Sequence, residues 1–334
     1  MTSESIAVAT PENVLELHDL SISFAGPHGP QLLVTGIDLA LVQGEIVSVV
    51  GESGSGKSIT ALACLGLLPR GLFVSGGTIS IGGVDCTDAS DSTWRKIRGP
   101  EVAMIFQDPM TSLDPCFRVG SQIVETIRAH EDVSTKIATR RAVDIMGAAG
   151  VPEARQRFDQ YPHELSGGLR QRVMIAAALA LEPKVLIADE PTTALDVTTQ
   201  ASIIGLVQEL SRDRAMSVLW ITHDLGVVSQ LAQRVVVMYA GEFVELGSLD
   251  DVFQQTSHHY TDGLLDSARY QARGERFGFI AGGVPEPAAW PAGCRFSTRC
   301  SAADELCNVH PGKAVFGVGH MYRCHHPLEV VTRG

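Results

Sequence analysis

Apolar and polar positions alternate early in the chain. Leu15 and Leu17, then Leu20, Ile22 and Phe24, recur in steps of two, which predicts a strand over 14–24. The Gly-Pro-His-Gly-Pro stretch at 26–30 predicts a loop, and residues 32–41 a second strand. The short apolar run 46–50 ends in a glycine-rich turn, the pattern of a buried strand entering a loop. Residues 58–68 then predict a helix stopped near Pro69. Further on, Ala138, Ala142, Ile145, Met146 and Ala149 share one helical face, and the stretch 108–175 reads as helical. Apolar runs at 185–188 and 218–221 suit buried parallel strands. Residues 235–238, the turn Ala240-Gly241 and residues 243–246 predict a hairpin. From about residue 256 periodicity fades, while glycine, proline, histidine and cysteine rise. No internal repeat or low-complexity tract is visible.

Composition narrows the class. A chain of 334 residues suggests about two domains. With 45% hydrophobic and 19% charged residues, wholesale disorder is excluded. A net charge of −12 argues against a dedicated nucleic-acid binder. The first 13 residues lack the basic and apolar regions of a signal peptide, and no apolar run is long enough to span a membrane. The expectation is a cytosolic protein with reduced thiols. Seven cysteines are too few for a disulfide scaffold. Cys64, Cys86 and Cys116 are scattered, whereas Cys294, Cys300, Cys307 and Cys324 crowd the tail.

The segment Gly51-Glu-Ser53-Gly54-Ser55-Gly56-Lys57-Ser58 fits the phosphate-loop pattern G-x-x-x-x-G-K-[ST] in full, with Ile59 following in the helix. Glycines let backbone N–H groups converge on a phosphate, Lys57 adds positive charge, and Ser58 offers an oxygen to Mg²⁺. A chance glycine turn lacks the strand before and the helix after. The run Val185-Leu-Ile-Ala-Asp189-Glu190 delivers two carboxylates at the C-terminal end of an apolar strand, where open α/β sheets bind ligands. Asp189 suits Mg²⁺ and Glu190 suits a general base. Alone, this pair reads as an acidic helix cap; beside the phosphate loop it reads as chemistry.

The segment Tyr161-Pro-His-Glu-Leu-Ser166-Gly167-Gly168-Leu169-Arg-Gln171-Arg172 resembles the LSGGQ signature of ABC-type ATPases, with Leu169 where Gln or Met is usual. Gln107 resembles the Q-loop, Ala194-Leu195-Asp196 the D-loop, and Ile221-Thr222-His223-Asp224 the switch histidine. Phe24 stands where an aromatic stacks on adenine, with a buried core phenylalanine as the competing reading. Likewise, Ser166 is an ordinary helix cap on the plainer reading. The resemblance implies an α/β P-loop fold: a RecA-like core, an antiparallel β subdomain, a helical subdomain and a small irregular Cys-rich extension. It implies a nucleotide-binding domain over 12–255, its helical part at about 108–175, and an extension over 256–334. It implies Glu190, His223 and Gln107 as catalytic residues, and Ser58, Gln107 and Asp189 as Mg²⁺ ligands. It further implies that Ser166, Gly167, Gly168 and Gln171 act in trans on ATP held by a second ATPase subunit.

Longer segments are similar to ATP-binding subunits of oligopeptide, dipeptide and nickel importers. They include Gln107-Asp-Pro-Met-Thr-Ser-Leu-Asp-Pro115, Asp159-Gln-Tyr-Pro-His-Glu164 and Ala188-Asp-Glu-Pro-Thr-Thr-Ala-Leu-Asp-Val197. Tyr260-Thr-Asp-Gly-Leu-Leu265 also matches, although His259 replaces the usual proline. This likeness implies a peripheral subunit on the cytoplasmic face of the inner membrane. Its partners are a related second ATPase, two permease subunits and, through them, an extracytoplasmic solute-binding protein. Peptide is the implied solute, with nickel or another small solute as alternative; a soluble non-transport ABC ATPase and a metal-sensing module are the remaining readings.

Four thiolates spaced Cys294-x5-Cys300-x6-Cys307-x16-Cys324 can enclose one metal centre, but lack the C-x2–4-C knuckles of zinc fingers. The likeness of Gly293-Cys-Arg-Phe-Ser-Thr-Arg-Cys300 and Tyr322-Arg-Cys-His325 to the importer extension implies a [4Fe-4S] cluster. Structural Zn²⁺ and free or disulfide-paired cysteines stay open, as does a purely structural cap. His310, His325 and His326 are ligands only if a cysteine is not.

Overall fold

Strand β1 (Asn13–Gly26) runs the length of the first alternation and pairs antiparallel with β2 (Gly29–Val42). Within the predicted loop at 26–30, Gly26, Gly29 and Pro30 are strand, with Gly26 paired to Gly29, Pro27 is a turn, and His28 lies outside the described residues. The phase slip between Leu17 and Leu20 is a β-bulge, with Asp19 at φ +46°. One extra residue there returns Leu15, Leu17, Leu20 and Ile22 to the same buried face. A second shift after Ile22 turns Ser23 inward onto Ser75 Oγ and leaves the Phe24 ring 39% exposed. Phe24 is thus no core residue. The structure, a computed structural model, describes residues 12–27, 29–108, 112–192, 196–268, 280–317 and 319–328.

Strand β3 (Ile46–Val50) leads through the glycine turn into α1 (Lys57–Ala63). This helix stops well before Pro69. Leu67 N donates to Leu62 O, Gly66 N donates to Ala63 O, and Gly66 sits at φ +61°. This is a left-handed glycine stop. A methyl group on Gly66 would lie 2.3 Å from the Trp94 ring. Strands β4 (Leu72–Ile81) and β5 (Val84–Asp85) complete an antiparallel sheet in the order β2-β1-β4-β5.

Next come α2 (Asp91–Ile97) and β6 (Val102–Ile105). The helical middle contains α3 (Val119–His130), α4 (Thr135–Ala148), the short α5 (Ala154–Arg157) and α6 (Gly167–Ala178). Strand β7 (Val185–Asp189), helix α7 (Val197–Arg214), strand β8 (Ser217–Ile221) and helix α8 (Leu225–Leu231) follow. Strands β9 (Arg234–Tyr239) and β10 (Glu242–Ser248) form the predicted hairpin, turning on Ala240 and Gly241, both at positive φ. Helices α9 (Leu249–Gln254) and α10 (His259–Ala268) precede a tail of short turns ending in the hairpin β11 (Ala314–Phe316) and β12 (His320–Tyr322).

The large sheet has the order β11-β12-β10-β9-β3-β8-β7-β6. Its central strands β9, β3, β8, β7 and β6 are parallel. Each divides its side chains between two cores by the two-residue strand period. Val47, Val49, Val185, Ile187, Leu219 and Ile221 face the antiparallel sheet. Ile46, Val50, Leu186, Ala188, Val218 and Trp220 face the helices. That double burial is why these strands read as continuous apolar runs.

The tail is sewn onto this sheet. Strand β12 pairs with β10, Glu245 opposite Tyr322. The fully buried Glu245 carboxylate accepts hydrogen bonds from Ser257 N, His258 N and His320 Nε2, tying core to tail. Cys294, Phe296 and Cys307 belong to the helix-side core. Among the described residues no helix is long and apolar enough to cross a membrane.

Candidate active site

The turn after β3 is shaped by crowding. Gly51 lies at φ +152°, and a Cβ there would stand 2.1 Å from Met238 O on β9. Gly56, at φ +107°, faces Met238 Cε in the same way. Only glycine fits either position. Ser55 is buried behind the turn and its carbonyl accepts from Gly241 N at 2.8 Å. Lys57, 6% exposed, donates to Gly51 O at 2.7 Å, Glu52 O at 2.9 Å and Ser55 Oγ at 3.3 Å. The loop thus fixes its own cation. Burial lowers the Lys57 pKa, against the opposing pull of Glu190, Asp189 and Glu52.

An open groove runs over this loop, lined by Ser53, Gly54, Gly56, Lys57, Ser58, Ile59, Gln107 and Glu190. Ser58 Oγ donates to Asp189 Oδ1 at 3.1 Å, joining α1 to the end of β7. Burial raises the Asp189 pKa, partly offset by the Ser58 bond and by Lys57. Glu190 follows at φ +47°, and its N–H donates to Ile221 O at 2.9 Å. Left-handed backbone at a non-glycine residue costs about 1–3 kcal/mol and is concentrated at functional sites. It delivers the Glu190 carboxylate between two loops. Gln107 Nε2 donates to Glu190 Oε2 at 3.3 Å, and His223 Nδ1 lies 3.3 Å from Glu190 Oε1. The predicted catalytic trio therefore converges on one carboxylate at the groove. Asp189 and Ser58 supply oxygens 3.1 Å apart, beside Gln107, which is chemistry suited to a hard cation.

The signature residues lie outside that lining. Ser166 is exposed and caps α6, its Oγ accepting from Leu169 N at 3.4 Å. Gly167 has open space where a Cβ would stand, and a Cβ on Gly168 would meet only Thr199 Cγ2, at 3.7 Å. Gln171 departs from its expected role in trans: it is 3% exposed and its Nε2 donates to Pro191 O at 2.6 Å. It braces α6 against the segment after Glu190 of its own chain. Asp196 caps α7, accepting from Thr199 N, Thr198 Oγ1 and Thr199 Oγ1, and these bonds hold its pKa well below the usual range. Ala194 and Leu195, and Pro109 to Thr111 beyond Gln107, lie outside the described residues.

In the tail, Cys294, Cys300, Cys307 and Cys324 line one small cavity with His258, His259, Phe296, Ala302, His325 and His326. None of the four is in a disulfide. Burial, reinforced by neighbouring cysteines, pushes the Cys294 and Cys324 thiols up to about 11. Cys307 also belongs to a tight group with Asp304 and His326, ligand atoms within 4.8 Å of one another. His310 is engaged with Glu242, at 2.7 Å, and His325 with Val309 O, at 2.9 Å. Cys64 and Cys86 are buried packing residues of the other core, and Cys116 is exposed.

Three residues at the site were not singled out by the sequence. Tyr260 OH accepts from Glu52 N at 2.8 Å, and Arg299 grips the Glu52 carboxylate. Glu52 occupies a freely variable position of the loop pattern, so its partners carry no local signal.

A family model described as ABC transporter matches residues 34–193, and one described as Oligopeptide/dipeptide transporter, C-terminal region, matches 244–307. The oligopeptide transport ATP-binding protein OppD of Salmonella typhimurium is 45% identical, covering 96% of each chain. The dipeptide transport ATP-binding protein DppD of Bacillus subtilis is 44% identical, covering 94% of each. Among solved structures, a dimeric ATP-binding cassette in a post-hydrolysis state with ADP and Pi matches with a TM-score of 0.64. It is 28% identical and covers 70% of this chain and 98% of its own. By these relatives, the chain belongs to the ABC transporter ATP-binding proteins, in the oligopeptide/dipeptide group.

Proposed function

We propose that this protein is the ATP-hydrolysing subunit of an importer that takes up peptides. It works on the cytoplasmic face of the inner membrane with a second, related ATPase, two permeases and an extracytoplasmic solute-binding protein. The observation that carries the hydrolytic reading is the Glu190 carboxylate, held between Gln107 and His223 beside Lys57 and Ser58. Glu190 accepts the proton of the attacking water; Gln107 and His223 orient the carboxylate. Lys57, and Ser53 to Ile59 around it, bind the ATP phosphates. Ser58, Asp189 and Gln107 hold the Mg²⁺ of the substrate, which when bound neutralises phosphate charge. Phe24, with its ring exposed over Gly71, offers a stacking face to adenine. Exposed Ser166 with Gly167 and Gly168 reaches ATP held by the partner, and Asp196 belongs to the same partner-facing rim.

The peptide reading rests on the named relatives. A strain lacking this gene should lose labelled di- or oligopeptide uptake by about tenfold or more. Wild type should restore uptake and Glu190→Gln should not. Loss of nickel uptake with peptide uptake intact overturns the peptide assignment.

The chain is read as a cassette over 12–255 with an extension over 256–334, whose four cysteines hold a metal centre. The donors fit: four undisulfided sulfurs share one small cavity, and metal binding takes such sulfurs as thiolates. The [4Fe-4S] reading is carried by the likeness of Gly293-Cys-Arg-Phe-Ser-Thr-Arg-Cys300 and Tyr322-Arg-Cys-His325 to the importer extension. When bound, such a cluster supplies a cross-link between turns of the tail and a one-electron couple. Protein purified anaerobically should carry about four irons per chain with broad visible absorbance. Cys300→Ser should lower both. Colourless protein with a single zinc overturns the cluster, and metal-free protein overturns both metals.

A further inference from the structure

The phosphate loop is gripped from outside by the Cys-rich tail. Arg299, directly before Cys300, has a side chain only 5% exposed. Its guanidinium forms a two-bond fork to Glu52: Nη1 to Oε2 at 2.6 Å and Nη2 to Oε1 at 3.0 Å. Three carbonyls fix the fork: Nε donates to Ala281 O at 2.8 Å, and Nη2 to Ile280 O at 3.2 Å and Gly282 O at 3.3 Å. Nη1 also lies 3.4 Å from Tyr239 OH. The planar, always-charged guanidinium suits this two-point grip, and lysine cannot reproduce it.

Glu52 is the joint on the loop side. Its carboxylate takes Arg299, its N–H donates to Tyr260 OH, and its carbonyl accepts from Lys57 Nζ and Ser55 N. Glycines 51, 54 and 56 give the loop little stiffness of its own. Tyr260, Tyr239 and Phe296 pack together behind the joint, with ring centroids 4.6–5.4 Å apart.

We infer that Arg299 is a positioning residue for the ATP site: through Glu52 it holds the phosphate loop and Lys57 in register, so the C-terminal extension sets nucleotide affinity. The inference rests on the ATPase reading and assigns to the tail a part in ATP binding that the phosphate-loop motif does not contain. It requires no metal to be named.

The test uses full-length Arg299→Gln, Glu52→Gln, the double variant and Arg299→Lys. A fluorescent ATP analogue gives affinity, steady-state assays give KM and kcat, and metal content is measured alongside. Each single Gln variant should weaken ATP about tenfold, mostly in KM, with kcat within about threefold and metal content unchanged. Arg299→Lys should recover part of the loss. The double variant should be no worse than the weaker single, because both break one contact. ATP affinity within about twofold of wild type in either single variant overturns the inference, as does additive loss in the double. If Arg299→Gln sheds metal or fails to fold, Glu52→Gln decides, since it leaves the tail's residues unchanged. Failure of the ATPase reading itself looks different: the wild type then binds no ATP.

Discussion

Glu190→Gln should bind ATP about as tightly as wild type and hydrolyse it at least about 100-fold more slowly. The substitution conserves shape and can keep the left-handed backbone that Glu190 adopts at φ +47°. It leaves Lys57, Ser58 and Asp189 in place, along with the bonds that fix them. Only the proton acceptor between Gln107 and His223 is lost. ATP titration and steady-state phosphate release, measured on the same preparation, separate binding from turnover. Near-normal turnover moves the base elsewhere and would falsify the assigned role of the convergent trio.

The second large effect falls on another subunit. Ser166→Arg should leave ATP affinity at this chain's own groove within about twofold. It should lower ATPase activity of the assembled pair by about 100-fold, as loss of one oriented transition-state donor does. Ser166 is exposed and lies outside the lining of its own groove, so an arginine is accommodated without displacing Lys57. The lost cap to Leu169 N costs about 1 kcal/mol of helix stability. Ser166→Asn keeps a cap and serves as control. Nucleotide trapped at each site is the readout. Loss at this chain's own phosphate loop, with the partner's site intact, overturns action in trans.

Much of the fold was legible because its central strands are buried on both faces. Residues 46–50, 185–188 and 218–221 read as apolar runs, and all three are β-strands of one parallel sheet. The slip from Leu17 to Leu20 was also visible, but only pairing with β2 shows it as a bulge. Strand β4 carries no clear pattern because Ser75-Gly76-Gly77 interrupts its alternation. Helix α7 is equally faint because its buried apolar positions, Ile203, Ile204 and Val207, are sparse over 18 residues. Pro69 predicts a later end for α1 than the structure has, because Gly66 under the Trp94 ring is the actual stop.

What the amino-acid sequence determines by itself is local. The phosphate-loop glycines, Lys57 and Ser58, the Asp189-Glu190 pair and the Ser166 cap each depend on neighbours a few residues away, so their patterns survive in one dimension. Which groups meet across the chain is decided by tertiary packing. Gln107 and Glu190 are 83 residues apart, and Glu52 and Arg299 are 247 apart. The inward turn of Gln171 onto Pro191 O has the same origin. The parallel sheet brings strand ends to one edge, and the tail is anchored to the core by the β12–β10 pairing and by Cys294, Phe296 and Cys307 packing into it. Long-range contacts of this kind follow from how buried surfaces fit together, a property that no local pattern of residues encodes.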